Sequence, residues 1–268
     1  MQYEVSGPFR AKELFELKPH IKKSIVVPVF LNQKAQLKKG WSKDTRFTGT
    51  GIYGIFLHGK LIYVGILTGG KRTLFSNSVI VERWKKHLTY FTLRSPACAA
   101  TPQNIHRILR ELEGEPIEAI AAMLGGRNFS LAEAKARKIG FVSGSSTQFN
   151  KVRFANENWE VFRPGNEEQM LDAISFVYAR FMPETAEHLG AVSEKAVYDF
   201  VRTKWLEPRE DRLVKRFQPI CNKKTKVPKR DVDVATFLAA LRQEMELSLP
   251  SFKPDGVPPV SPDKQAAA

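Results

Sequence analysis

The chain has 268 residues, 43% hydrophobic and 10% aromatic, with 42 Lys+Arg against 28 Asp+Glu and a formal net charge of +14. That length and apolar content suit one large domain, or a core with an inserted lobe, and exclude a globally disordered or collagen-like chain. The cationic excess says nothing about fold. It points to a polyanionic partner, either nucleic acid or an anionic membrane surface.

The two cysteines, Cys98 and Cys221, are far apart and form no CxxC or Cys/His cluster. Neither a disulfide scaffold nor a structural zinc site is expected, and two thiols suit a reducing compartment. The longest apolar run, Ile25 to Leu31, is interrupted by Pro28 and is too short to span a bilayer. The first residues show no basic start followed by an apolar stretch, so a secretory leader is not expected. A cytoplasmic protein with no membrane association is the expectation, which favours nucleic acid as the partner.

In chain order, Ala11–Leu17 reads as a short helix ending before Pro19, and Ser24–Leu31 as a β-branched strand that Pro28 confines to an edge or splits. The basic stretch from Lys34 to Lys43, with Trp41, reads as an arm over a polyanion or as a solvated loop. Gly51–Gly65 (GIYGIFLHGKLIYVG) is the clearest local signal. Two apolar runs flank Leu57-His58-Gly59, a β-hairpin with Gly59 supplying positive φ in a three-residue loop. Counted outward from that loop, Phe56 faces Lys60 and Tyr53 faces Tyr63, so the tyrosines are expected as direct cross-strand neighbours. A two-residue loop would separate them.

A Gly/Ser/Asn-rich connection with Lys71 and Arg72 follows. Val79–Leu88 then reads as a helix that places Arg83 and His87 on one face. Ser95–Asn104 is a linker, and residues 105–138 look helical with a break at Pro116. Gly140–Asn150 reads as strand then loop, and Asn158–Phe162 as a short strand. Glu167–Phe181 reads as a helix with Met170, Leu171, Ile174, Val177 and Tyr178 on one side. Ser193–Trp205 is a further helix.

Pro208 opens a helix at the position proline favours, and it runs to Pro219. Lys223-Lys224-Thr225-Lys226-Val227-Pro228-Lys229-Arg230 holds five basic residues in eight and no acid. Asp233–Leu247 is an amphipathic helix. The tail from Ser251 is Pro-rich and expected to be disordered.

Gly51-Ile52-Tyr53, Tyr63-Val64-Gly65, Arg83 with His87 on a helix, then Glu210 and Asn222 follow one another in an order that resembles the GIY-YIG nuclease superfamily. The segment from Glu210 to Asn222 is similar to the family's catalytic-Glu helix: a Glu, apolar positions at helical spacing, an aromatic, a proline and an Asn. The Arg-x-x-x-His spacing is most like the type II restriction endonuclease branch. The resemblance covers residues 51–94 and 206–224 well and the rest poorly.

It implies an α/β (α+β) fold: a small core with an antiparallel three-stranded sheet flanked by helices. The expected division is an N-terminal arm (1–50), the first part of the core (51–94) and a large, mostly helical insertion (95–205) with the third core strand near 158–162. The second part of the core (206–248) and a disordered tail (249–268) complete it. His87 and Glu210 lie more than a hundred residues apart, a wider separation than is usual in the family, and the insertion accounts for it.

The implied chemistry is metal-dependent hydrolysis of DNA. Glu210 would hold one divalent cation, Mg²⁺ with Mn²⁺ as a possible substitute, and water and phosphate oxygens would complete its shell. Arg83 would contact a non-bridging phosphate oxygen. Tyr53 would take the nucleophile's proton, and because a free phenol titrates near ~10 it needs positive charge nearby. Tyr63 would position water or phosphate, and His87 would relay protons or contact phosphate. Asn222 would hydrogen-bond within the site and fix the end of the Glu210 helix. Glu167 and Glu168 also start a helix, but no Asn follows at the right distance.

Lys71, Arg72, Lys223, Lys224, Lys226, Lys229 and Arg230 are candidate DNA-backbone contacts. A cutter of palindromic double-stranded sites implies a homodimer. Other readings are a repair or homing nuclease of the same superfamily, a DNA-binding protein that has lost catalysis, and a nucleic-acid accessory protein. Each residue also has a plainer counterpart: core aromatics, a solvated basic helix, a dipole-favoured Glu, a turn Asn.

Overall fold

The computed structural model describes residues 2–19, 33–69, 74–92, 94, 151, 154–155, 157–163, 165–182, 194–222, 228–229 and 231–250. The predicted strand at Ser24–Leu31, the helical region 105–138, the segment Gly140–Asn150 and the tail from Ser251 lie outside them. So do Cys98, Lys71, Arg72, Lys223, Lys224, Lys226 and Arg230.

The fold is α+β. Its main sheet has four antiparallel strands in the order β1 (Tyr3–Arg10), β6 (Ile174–Phe181), β4 (Gly51–Leu57), β5 (Lys60–Leu67). A two-stranded sheet pairs β2 (Phe15–Pro19) with β3 (Gln33–Leu37), and a single turn of helix, α1 (Ala11–Leu14), connects β1 to β2. Two corrections follow. The first residues of the expected N-terminal arm are part of the main sheet: β1 is its edge strand, paired from Tyr3 to Arg10 with β6. The helix predicted at Ala11–Leu17 ends at Leu14, and Phe15 begins a strand.

The third core strand is not near 158–162. Trp159–Phe162 forms a turn of helix, α3, and Glu167–Ala173 forms α4. The strand is β6, Ile174–Phe181, which pairs with β4 along its whole length. Helical spacing at Met170, Leu171, Ile174, Val177 and Tyr178 disguised it. The reason is burial on both faces: Ile174, Phe176 and Tyr178 pack into one apolar layer, and Val177, Ala179 and Phe181 into the other. A strand covered on both sides loses the polar alternation that identifies one in sequence. Residues 174–181 therefore belong to the main sheet, between β1 and β4.

One layer holds Trp84 and, from the helix α2 (Lys85–Phe91) that follows it, Leu88 and Phe91 against the Tyr53 and Ile55 face of β4. The other holds α6 (Glu207–Phe217) and α7 (Val234–Glu246) against Ile52, Phe56 and Val64. Each fully buried Leu or Phe stabilises the assembly by about 1.5–3 kcal/mol. Asp233 caps α7 by accepting from the Thr236 amide at 2.8 Å, at the predicted boundary.

Pro208 stands in the first turn of α6, the position expected, but that helix continues an earlier one. α5 (Glu194–Phe200) continues through a π-turn (Val201–Leu206) into α6. Proline lacks an N–H and its ring clashes with the carbonyl four residues back, and the wider turn just before it accommodates both. α6 ends at Gln218, which takes a left-handed φ of 44°, ahead of Pro219. No helix among the described residues is long and apolar enough to cross a membrane.

Candidate active site

The hairpin closes through two residues, His58 (φ 49°) and Gly59 (φ 73°), with Leu57 paired to Lys60. The expected three-residue loop is therefore incorrect. Continued unchanged, this register would set Tyr63 opposite Gly54, on the far side of the sheet from Tyr53. A bulge prevents that. Phe56 pairs with Leu61 and Ile55 with Tyr63, so Ile62 is the extra residue. Beyond it Tyr53 faces Gly65, and Tyr63 returns to the Tyr53 side as a diagonal neighbour. Their ring centroids are 6.1 Å apart.

The glycines of the hairpin make room for rings. A β-carbon on Gly65 would stand 2.5 Å from the Tyr53 hydroxyl and 2.7 Å from the Tyr63 ring. One on Gly51 would stand 2.8 Å from the Tyr178 ring, and one on Gly54 would stand 2.6 Å from Phe237.

The connection after β5 leads into a π-turn, Ile80–Trp84, that continues as α2. Trp84, stacked on Phe176 at 4.7 Å, anchors this helical run to the sheet. The run delivers His87 to the tyrosines: Tyr53 Oη lies 2.8 Å from His87 Nε2, and the His87 ring is 4.7 Å from that of Tyr63. Phe91 stacks on the imidazole at 5.1 Å. Burial holds the His87 pKa well below its usual value, and the charges of Lys151, Arg83 and Lys86 hold it lower still. The ring is therefore neutral near pH 7, and Nε2 can accept the Tyr53 proton when Nδ1 carries the ring hydrogen. Nδ1 is buried with no hydrogen-bond partner among the described residues.

Arg83 is exposed on the π-turn, one turn ahead of His87. Glu210 is half-buried near the start of α6, within a helical run that continues from α5, so no free helix end supplies it with a favourable dipole. The two act on both phenols with opposite signs. Burial is the main cause that raises Tyr53 and Tyr63 above the ordinary phenol value; Glu210 raises both further, and Arg83 lowers both. Side chains from β4, β5, the π-turn and α6 are thus brought within electrostatic range of one another. Glu167 is not among them. It lies 3.5 Å from the buried Arg94 guanidinium and accepts from the Gly165 amide.

Asn222 works through the backbone of β5. Its Oδ1 accepts from the Val64 amide at 2.9 Å and its Nδ2 donates to the Val64 carbonyl at 2.7 Å. The Cys221 amide donates to the Ile62 carbonyl at 2.9 Å. The turn after α6 is thereby tied to the edge strand between Tyr63 and Gly65, and α6 is held against it. Lys229 is exposed and donates to the Arg216 carbonyl at 3.2 Å.

Two neighbours of the tyrosines escape a reading of the sequence. Phe91 repeats the Arg83–His87 spacing once more along the helix, a signal that was available. Lys151, with its ammonium 5.4 Å from the Tyr63 ring centroid, follows no pattern in the sequence.

Among the described residues no group of three or more His, Cys, Asp and Glu could hold a metal ion. Glu210 offers a carboxylate within electrostatic range of both phenols. Such a donor suits a hard cation that draws its remaining ligands from water and a phosphate oxygen. An open groove of about 950 Å³, lined by Lys12, Phe15, Glu167 and Asp172, contains none of these candidate residues. Comparisons of the chain with protein-family models, with curated proteins and with solved structures found no match.

Proposed function

We propose that this protein is a metal-dependent endonuclease of the GIY-YIG type that hydrolyses DNA phosphodiester bonds, and that it acts as a homodimeric type II restriction enzyme on a specific double-stranded site. One observation carries the reading: Tyr53 meets His87 at 2.8 Å, while Arg83 and Glu210, more than a hundred residues apart, both act on the same two phenols. Ordinary core tyrosines need no such company.

Hydrolysis places a water oxygen on phosphorus and breaks the bond from phosphorus to the leaving sugar oxygen. Tyr53 takes the water proton as its own passes to neutral His87 Nε2. This exchange avoids a free phenolate, and the imidazolium formed, which burial also disfavours, gives up its proton through water to the leaving sugar oxygen. Tyr63, diagonal to Tyr53 and in ring contact with His87, orients the attacking water or the phosphate. Arg83, free of burial and built as a fork of donors, meets charge developing on a non-bridging oxygen. Glu210 would hold one Mg²⁺, with Mn²⁺ able to replace it, and the ion would supply charge neutralisation at the phosphate. Asn222 keeps α6, and Glu210 with it, in register with β5.

The test is incubation with plasmid DNA in Mg²⁺ or in a chelator. Discrete fragments in Mg²⁺ alone are the expected result. A smear indicates a non-specific nuclease, and a gel shift without cutting indicates a binding protein. Glu210→Ala is expected to abolish cutting while DNA binding persists; undiminished Mg²⁺-dependent cleavage by that variant removes the metal assignment.

A further inference from the structure

Lys151 is buried, 7% exposed. Its ammonium lies 5.4 Å from the centroid of Tyr63 and 5.2 Å from that of Phe91, rings that are themselves 5.6 Å apart. Phe91 also stacks on His87, and Phe154, three residues beyond Lys151, packs edge-on against Phe91 at 6.4 Å. A lysine ammonium is rarely buried without strong attraction, and the faces of two aromatic rings contribute to it.

We propose that Lys151 is a positioning residue of the candidate active site, its ammonium clamping Tyr63 and Phe91 so that the two rings hold His87 against Tyr53. This rests on the nuclease reading above. The segment that carries Lys151 is thereby part of the reacting centre, although it lies outside the stretches that resemble a nuclease. Its charge adds a second effect. The groups facing His87 are Tyr53, Tyr63, Phe91 and the cations Lys151, Arg83 and Lys86. After burial, Lys151 is the largest cause of the low pKa of the imidazole. A protonated His87 could not accept from Tyr53, and the ammonium that fixes the ring also favours its neutral form.

Lys151→Met keeps the aliphatic stem and removes the charge; Lys151→Arg keeps the charge and the ring contact. The full chain is used throughout, with folding checked by circular dichroism. Lys151→Met is expected to lower kcat on plasmid DNA about 10- to 100-fold with KM nearly unchanged. It is also expected to raise the His87 pKa in an imidazole NMR titration, and Lys151→Arg to restore both. Lys151→Gln gives the same readings should the Met variant not fold. Wild-type kcat with an unmoved His87 titration overturns the proposal, and so does a rise in KM alone, which would make Lys151 a DNA contact. Should the wild-type chain cut no DNA, the nuclease reading fails by itself. The His87 titration then still decides: an upward shift in Lys151→Met supports the placement and no shift rejects it.

Discussion

Gly65 pairs directly with Tyr53 across the β4–β5 hairpin, and a β-carbon there would stand 2.5 Å from the Tyr53 hydroxyl. The absent side chain leaves the space in which the phenol reaches His87. Gly65→Ala should therefore displace the Tyr53 ring and break its 2.8 Å contact with His87. The expected cost is about 1–3 kcal/mol of stability from overpacking, with a larger loss of cleavage than of DNA affinity. Thermal unfolding with plasmid cleavage measures both, and unchanged cleavage in a folded Gly65→Ala variant would show that this contact is not needed.

His87 ties activity and stability to pH. Folding depresses its pKa below the ordinary ~6.5, so the unfolded chain takes up a proton first as pH falls. This contribution to stability is complete above the unfolded value and declines as pH drops through it. The decline stops once pH passes below the folded value. Its slope is at most about 1.4 kcal/mol per pH unit. His87→Phe keeps an aromatic ring against Tyr63 and Phe91 and should remove this component. Urea midpoints of both proteins on either side of the ~6.5 reference value give the difference, in which the carboxylates common to both largely cancel. In the wild type the acid limb of cleavage should lie below that reference value. A limb above it would exclude neutral His87 as the proton acceptor.

Asn222 is a structural clamp with a functional consequence. Asn222→Ala leaves the Val64 amide and carbonyl without their side-chain partner, at an expected cost of about 1–3 kcal/mol. Asn222→Asp can still accept from the amide but cannot donate to the carbonyl, and two oxygens then face each other. Aspartate should accordingly be no better than alanine, even though it is nearer in shape. Denaturant unfolding ranks the variants, and an Asp variant as stable as wild type would show that the bond to the carbonyl contributes nothing.

Much of this arrangement is legible in the order of residues. The hairpin, the Arg83–His87 spacing, the α6 end at Pro219 and the Asp233 cap all rest on local rules that tertiary packing leaves intact. Three features are hidden, each for a physical reason. β6 is covered on both faces, so its pattern resembles a helix. The Tyr53–Tyr63 register depends on a bulge at Ile62, and no turn chemistry announces it. Lys151 reaches Tyr63 from a distant segment, through a contact that only the fold creates. The resemblance to a known motif singles out the tyrosines, but not the diagonal geometry that brings both of them to His87.

Arg83 separates a chemical role from a structural one most cleanly. Its side chain is exposed, so Arg83→Ala should change stability by no more than about 0.5 kcal/mol. Its charge nevertheless lowers both buried phenols and His87. If Arg83 meets the phosphate, Arg83→Ala should cut DNA at least ~100-fold more slowly while unfolding at the wild-type midpoint. Arg83→Lys should recover only part of the loss, because an ammonium supplies a point charge without the planar fork. A solvated helix position predicts the reverse, with all three proteins cutting alike. Unfolding and single-turnover cleavage measured on the same preparations decide between them: a lysine variant as fast as wild type would reduce Arg83 to a source of positive potential, and an alanine variant as fast would remove it from the site.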